Sequence, residues 1–428
     1  VLECTENDII DKERMMKMPT KEQLKQYASL AVQVGANVQP GQLVWVNSST
    51  ETKELARQIV EKAYQAGAKK VVVNWGDDYV SHSSLNYQDN ETLASVDQWV
   101  IDKFKHFIAQ DGCVISITSP IPGLNKDIDP SKLQTAAIAR NKALKFYQDH
   151  MMGNKAQWTI VAAPNKVWAK KVFPDLDEEK AVEKLWDAIL KASRVNEGSD
   201  PVLEWEKHNE KLLRNNKLLN DHNFKSLKFK NALGTDLVID LIDGHVWAGG
   251  GEHSTKGVYF NPNIPTEENF TMPYKYGVNG KVVATMPLNY QGNLIEDFWL
   301  EFKDGKVVNY DAKKQKDALK NLLAFDQGSS YLGEVALVSH YSPISQMGLL
   351  FYNTLFDENA SCHLALGRAY PMNVKGGNDM TNEQLERIGS NQSMAHSDFM
   401  FGSADMHIIG VKEDGSEVIV FENGDFVL

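Results

Sequence analysis

Near its C-terminus the chain reads Ala395-His396-Ser397-Asp398-Phe399-Met400-Phe401-Gly402-Ser403. Valine, isoleucine and aromatic residues dominate the remainder of the chain, so this stretch reads as the start of an extended segment. Side chains at i and i+2 of a strand share a face, which sets the imidazole of His396 beside the carboxylate of Asp398. Such a pair suits a hard-to-borderline divalent cation, zinc, cobalt or manganese. The plainer reading is that Asp398 only orients His396 on a surface strand, and a lone H-x-D does not choose between them.

Other acids and imidazoles stand upstream. In Gly333-Glu334-Val335-Ala336-Leu337-Val338 a single Glu opens an apolar strand. Buried there, Glu334 needs a compensating charge, which a metal would supply; at an exposed strand end it needs none. The stretch from Phe356 to Pro371 reads as a helix entered through acids and closed by proline. His363 and Tyr370, seven apart, then lie on one helical face. Glu358 is off that face and reaches them only from the start of the helix, as a ligand or as a support. In Pro262-Asn263-Ile264-Pro265-Thr266-Glu267-Glu268 two prolines stiffen a loop ending in paired carboxylates. A helix start capped by Thr266 explains those acids equally well. His253, His340 and His407 have no partner at ligand spacing. Neither G-x-S-x-G nor a base for Cys362 supports a serine or cysteine nucleophile.

The elements that must position these residues fall into two textures. Apolar-periodic helices over 21–38, 91–109, 131–150, 178–192 and 201–220 alternate with strands at Leu43–Val46, Val71–Trp75, Cys113–Thr118 and Trp158–Ala163. This predicts an open α/β domain with a mostly parallel sheet over residues 1–225. Neither G-x-G-x-x-G nor G-x-x-x-x-G-K-[ST] occurs, so nothing in this half asks for a nucleotide. From about 226 to 428, short strands and glycine turns predict a mixed α+β domain, which carries the candidate metal-binding and catalytic residues, with a charged helix over 312–326.

Composition sets outer limits. A chain of 428 residues, 42% apolar and 24% charged, buries a large core unaided. A formal charge of −12 argues against nucleic acid or an anionic membrane as partner. Three scattered cysteines, Cys4, Cys113 and Cys362, fit a reducing compartment. The opening stretch Val1–Thr20 lacks the order of a secretory signal, so a cytoplasmic location is expected.

Taken together, these motifs resemble the M29 family of metallo-aminopeptidases, the aminopeptidase T and aminopeptidase S group. The resemblance runs through Asn37-Val38-Gln39-Pro40-Gly41-Gln42, Pro262 to Glu268 with Phe270-Thr271, Gly333 to Val338, Asn353 to Asn359, and Asp398 to Ser403. It implies a two-domain α/β fold, a homodimer enclosing the active site, and short peptides as substrates. It implies metal ligands at Glu268, Glu334, His363, His396 and Asp398, with Glu358 a further ligand candidate. Glu334 would bridge two divalent ions (Zn, Co, Mn or Mg), and Tyr370 would be the catalytic phenol. Two ions about 3.5–4 Å apart make hydroxide available near pH 7, with Glu334 or Glu358 shuttling the proton. The expected activity is release of N-terminal amino acids. A dinuclear phosphoesterase, for which Arg368 is the only adjoining arginine, and a metal-stabilised peptide-binding protein without turnover are the alternatives.

Overall fold

The computed structural model describes residues 18–290 and 292–428. The expectations for Cys4 and for most of Val1–Thr20 fall outside them. The described chain divides into two compact units, one running up to Glu206 and including Gly251–Ile264, the other made of Lys207–Gly250 and Pro265–Leu428. The expected change at 225/226 marks where strands begin. The compact units divide earlier, inside helix Pro201–His222, whose later asparagines belong to the second unit: Asn216 and Asn220 donate to the carbonyls of Gly249 and Trp247.

The first unit holds a four-stranded parallel sheet in the order Lys70–Gly76, Leu43–Ser49, Cys113–Thr118, Trp158–Ala162. Helix Lys53–Gln65 buries Leu55, Ile59 and Ala63, spaced by four along one face. The expected helix over 21–38 is α-helical only over Lys21–Leu30, capped by Thr20, and continues as a π turn over Ala31–Gly35. Helices Asp78–Tyr87 and Lys166–Val172 were not anticipated. The first buries no residue and so leaves no apolar stripe to read. No described helix is long and apolar enough to cross a membrane.

The second unit is built from antiparallel sheets. The strand Lys306–Lys314 replaces the first part of the helix expected over 312–326, and a shorter helix, Lys316–Leu323, comes after it. Asp304 and Gly305, both at positive φ, turn Asn293–Lys303 back into this strand as a hairpin, the conformation an Asp-Gly pair favours.

The sheet that matters for chemistry has four antiparallel strands in the order His396–Met400, His363–Gly367, Leu332–Val338, Glu268–Thr271. Two expectations are corrected here. His363 lies on a strand, because the helix expected over 356–371 amounts to Thr354–Asp357 and a 3-10 turn, Glu358–Ala360; Tyr370 stands in the loop after the strand. Thr266 caps no helix, since Glu268 opens a strand.

Directly paired residues of antiparallel strands share a face. Asp398 pairs with Ala365 and His396 with Gly367. Ala365 pairs with Glu334, His363 with Ala336, Ala336 with Phe270, and Val338 with Glu268. One face therefore carries Glu268, Glu334, His363, His396 and Asp398, with the small residues Ala336, Ala365 and Gly367 among them, and Phe270, Val338 and Met400 on the same face. The other face sends Val335, Leu337, Leu364, Leu366 and Phe399 into the main hydrophobic core. Burial of that face fixes the register, because a slip of one residue would turn every ligand candidate into the core.

Ala365 is fully buried between Glu334 and Asp398. Ala365→Val should add methyl groups where a cation would sit, while keeping a good strand former. The variant is expected to fold, by circular dichroism, yet to bind metal at least about 10-fold more weakly by titration, no less than the loss of a group that supports a ligand; wild-type affinity would show that the methyl groups point elsewhere.

Candidate metal centre

Each imidazole is set by a backbone carbonyl. His363 Nδ1 lies 3.2 Å from Ser361 O, and His396 Nδ1 lies 2.7 Å from Arg368 O. A carbonyl only accepts, so Nδ1 carries the proton and Nε2 is left facing the acids. His363 Nε2 lies 3.1 Å from Glu268 Oε2 and 3.4 Å from Glu334 Oε1. His396 Nε2 lies 3.3 Å from Asp398 Oδ1 and 3.9 Å from Glu334 Oε2. Glu334 thus shows one oxygen to each histidine.

Two sets of ligand atoms result, Glu268 with Glu334 and His363, and Glu334 with His396 and Asp398. Within each set the atoms lie within 4.8 Å of one another. Glu358 is in neither set. It stands close by, on the turn after Thr354–Asp357, where the carboxylates of Glu268 and Asp398 act on it. Tyr370 packs against His396, ring centroids 4.8 Å apart, and meets Phe270 edge-on at 6.4 Å. Of the site residues predicted from sequence, five therefore lie on one face of one sheet, with Glu358 on a turn and Tyr370 in a loop beside it.

The electrostatics call for positive charge. Burial raises the Glu334 carboxyl, against the His363 and His396 imidazoles that lower it. Burial, then the Glu268 and Asp398 carboxylates, push Glu358 well up. Burial works against charged imidazoles, but contacts with Glu268 and Glu334 take His363 well above its usual value. The same opposition, with Asp398 as the main partner, takes His396 up to about 10. Burial raises Tyr370 and the surrounding carboxylates raise it further, so its phenol stays protonated. Four acids gathered in one partly dry place repel each other unless protons or cations intervene.

The donor set fits divalent ions. It is rich in carboxylate oxygen, includes one imidazole per group, and has no thiolate, which suits hydrolytic Zn, Co, Mn or Mg sites better than a closed structural zinc. Asp398 Oδ1 adds a second sign: it is buried and satisfied by no well-formed hydrogen bond. A cation would complete it.

Some contributors were not visible beforehand. The carbonyls of Ser361 and Arg368 carry no side-chain signal. Asn359 accepts from Glu267 N at 2.7 Å and so ties the Glu358 turn to the Glu268 strand. Of the paired acids, Glu267 turns away from the site to buried His208, 3.7 Å off. Arg368 has an exposed side chain and serves the site through its backbone.

The fold and this constellation define a metal-dependent hydrolase, and comparison with known proteins specifies which. The profile of the thermophilic metalloprotease family M29 matches residues 20–426. Aminopeptidase 2 of Geobacillus stearothermophilus is 45% identical over 406 residues, 95% of this chain and 98% of that protein. Aminopeptidase AmpS of Bacillus subtilis is 46% identical with the same coverage. The solved structure of wild-type AmpT from Thermus thermophilus superposes with a TM-score of 0.88 at 36% identity, covering 95% of this chain and all of that one. The chain belongs to the M29 metalloprotease family.

Metal uptake must displace the protons that hold the two imidazoles charged. Because neighbouring carboxylates raise both imidazoles, His396 up to about 10 and His363 well above its usual value, metal binding near neutral pH should release protons and tighten as pH rises. Calorimetric titration at about pH 7, in buffers of differing ionisation enthalpy, reads this directly; a buffer-independent heat would mean the imidazoles are already neutral.

Proposed function

We propose that this protein releases N-terminal amino acids from short peptides, using two divalent ions held across the sheet face with Glu334 shared between them. Family membership makes it a metallo-aminopeptidase. The two-ion reading is carried by one observation: the two oxygens of Glu334 face different histidines, each with its own second carboxylate.

Glu268 and His363 would hold one ion, His396 and Asp398 the other. Ions so held would supply Lewis acidity and a water acidified to a pKa of about 7. The chain's own groups do the rest. Glu358, raised by burial and by its acid neighbours, takes the proton of the attacking water and passes it to the leaving amine. Tyr370 keeps its hydroxyl proton and donates it in a hydrogen bond to the oxyanion. The substrate's free α-amino group would be anchored by an ion or by a nearby acid, which confines cleavage to the first bond. Phe270, edge-on to Tyr370, offers an apolar wall beside the phenol.

A homodimer acting in the cytoplasm is part of the same proposal. It rests on the likeness to the aminopeptidase T and S group and on free, buried Cys113 and Cys362; light scattering of the purified chain tests the dimer. The phosphoesterase reading has little support, since the side chain of Arg368 is exposed.

Two outcomes test the activity. Hydrolysis of an aminoacyl-anilide panel should vanish after chelation and return with added Zn, Co, Mn or Mg; activity that survives removal of all metal would refute the proposal, and metal-loaded protein that binds peptide without turnover would mark a binding protein. Tyr370→Phe should lower kcat by about 10²–10³ with metal content unchanged, the cost of one oxyanion donor; a wild-type kcat would remove Tyr370 from the chemistry.

A further inference from the structure

Outside the site, one cluster of hydrogen bonds joins three loops that have no ligand among them. Asp326 receives, at Oδ1, the N–H groups of Gly328 and Ser329, each at 2.9 Å, and the Ser329 and Ser393 hydroxyls, each at 2.8 Å. Its Oδ2 receives Met394 N at 2.7 Å. No cation pairs with it among the ion pairs of the described residues; its partners are all loop N–H and O–H groups.

Asn391, fully buried, completes the tie. Its amide nitrogen faces three carbonyls, Gly328 at 2.9 Å, Tyr331 at 3.1 Å and Gly367 at 2.6 Å. Its backbone carbonyl accepts from Ala369 N at 3.0 Å. The loops 326–331 and 391–395 and the segment 367–369 are thereby fastened at both ends. Gly367, at φ +106°, packs so close to Ala395 O that no Cβ fits, and Arg368 N donates to the same oxygen at 2.7 Å.

All of this ends on the metal centre. The fastened segment 367–369 presents Arg368 O to His396 Nδ1 and leads straight into Tyr370. The fastened loop 391–395 leads straight into His396. The other half of the centre is built differently: Ser361 O holds His363, and Asn359 holds the Glu268 strand.

We infer that Asp326 and Asn391 form a latch of positioning residues that sets one half of the centre, His396 with Tyr370, independently of the half that contains His363 and Glu268. Neither latch residue touches metal or substrate. Asn391 fixes the segment whose carbonyl, Arg368 O, fixes the His396 imidazole; Asp326 fixes the loop that leads into His396, and removal of such outer partners costs about 10–100-fold in metal affinity. A group that only stabilised the fold would loosen both halves together.

The inference rests on the two-ion reading, and the test separates the two. Metal-stripped full-length protein is titrated calorimetrically with Co²⁺. Wild type should show two binding steps, one of which His396→Ala abolishes. Asp326→Ala should weaken that same step by about 10–100-fold and leave the other within about threefold. Asn391→Ala should do likewise; because Asn391 is buried and its loss could prevent folding, half-buried Asp326 can carry the test alone. If both steps weaken equally, or neither moves, the latch is refuted while the two-ion reading stands. A wild-type protein that takes up a single Co²⁺ refutes that reading, and the latch with it.

Discussion

Three carboxylates and two imidazoles share one face of one small sheet, with a fourth acid, Glu358, beside them. The mutual repulsion of these acids is the constraint on which the rest of the structure bears. Left alone, they would take up protons or push apart. The core on the opposite face prevents the second, because Val335, Leu337, Leu364, Leu366 and Phe399 are packed into it and cannot slide. The cluster must then be neutralised where it stands. Protons are one means, since the carboxylates around His363 and His396 raise both imidazoles above their usual value. Divalent cations do it better, since the small residues Ala336, Ala365 and Gly367 leave space over the strands. Hydrophobic burial on one face thus holds together on the other what electrostatics alone would separate.

This division of labour explains why the site residues are so scattered in sequence. Each strand supplies one or two ligand candidates at alternate positions, and the strands come from four distant parts of the chain. Adjacent strands need not be adjacent in sequence, and a face of four strands collects residues from 268 to 398 without any local motif. The loops that join them carry the tyrosine, the remaining acid and the carbonyls that aim the imidazoles.

Much of this was legible in the sequence. The parallel sheet of the first unit could be read because short apolar runs such as Leu43–Val46 and Cys113–Thr118 alternate with apolar-periodic helices. His396 and Asp398 could be read because a two-residue spacing on a strand admits one geometry. The strand bearing His363 was misread as a helix. Leu364-Ala365-Leu366 is good helix-forming sequence, and the alternation in His363-Leu364-Ala365-Leu366-Gly367 is one of size more than polarity: small residues face the centre and leucines the core. The same small-large alternation runs through Glu334-Val335-Ala336-Leu337. It marks a sheet face kept clear for a ligand, and a reading based on polarity misses it. Asp326 and Asn391 were invisible for a simpler reason, since what they hold is backbone, which looks the same at every position.

The central claim is that Glu334 stands between two ions, one oxygen to each. Anomalous diffraction from crystals grown with Zn²⁺, recorded on both sides of the zinc edge, tests it most directly. Two peaks flanking the Glu334 carboxylate are predicted, one beside His363 and Glu268 and one beside His396 and Asp398. A single peak, or a pair that leaves Glu334 uncoordinated, would contradict it.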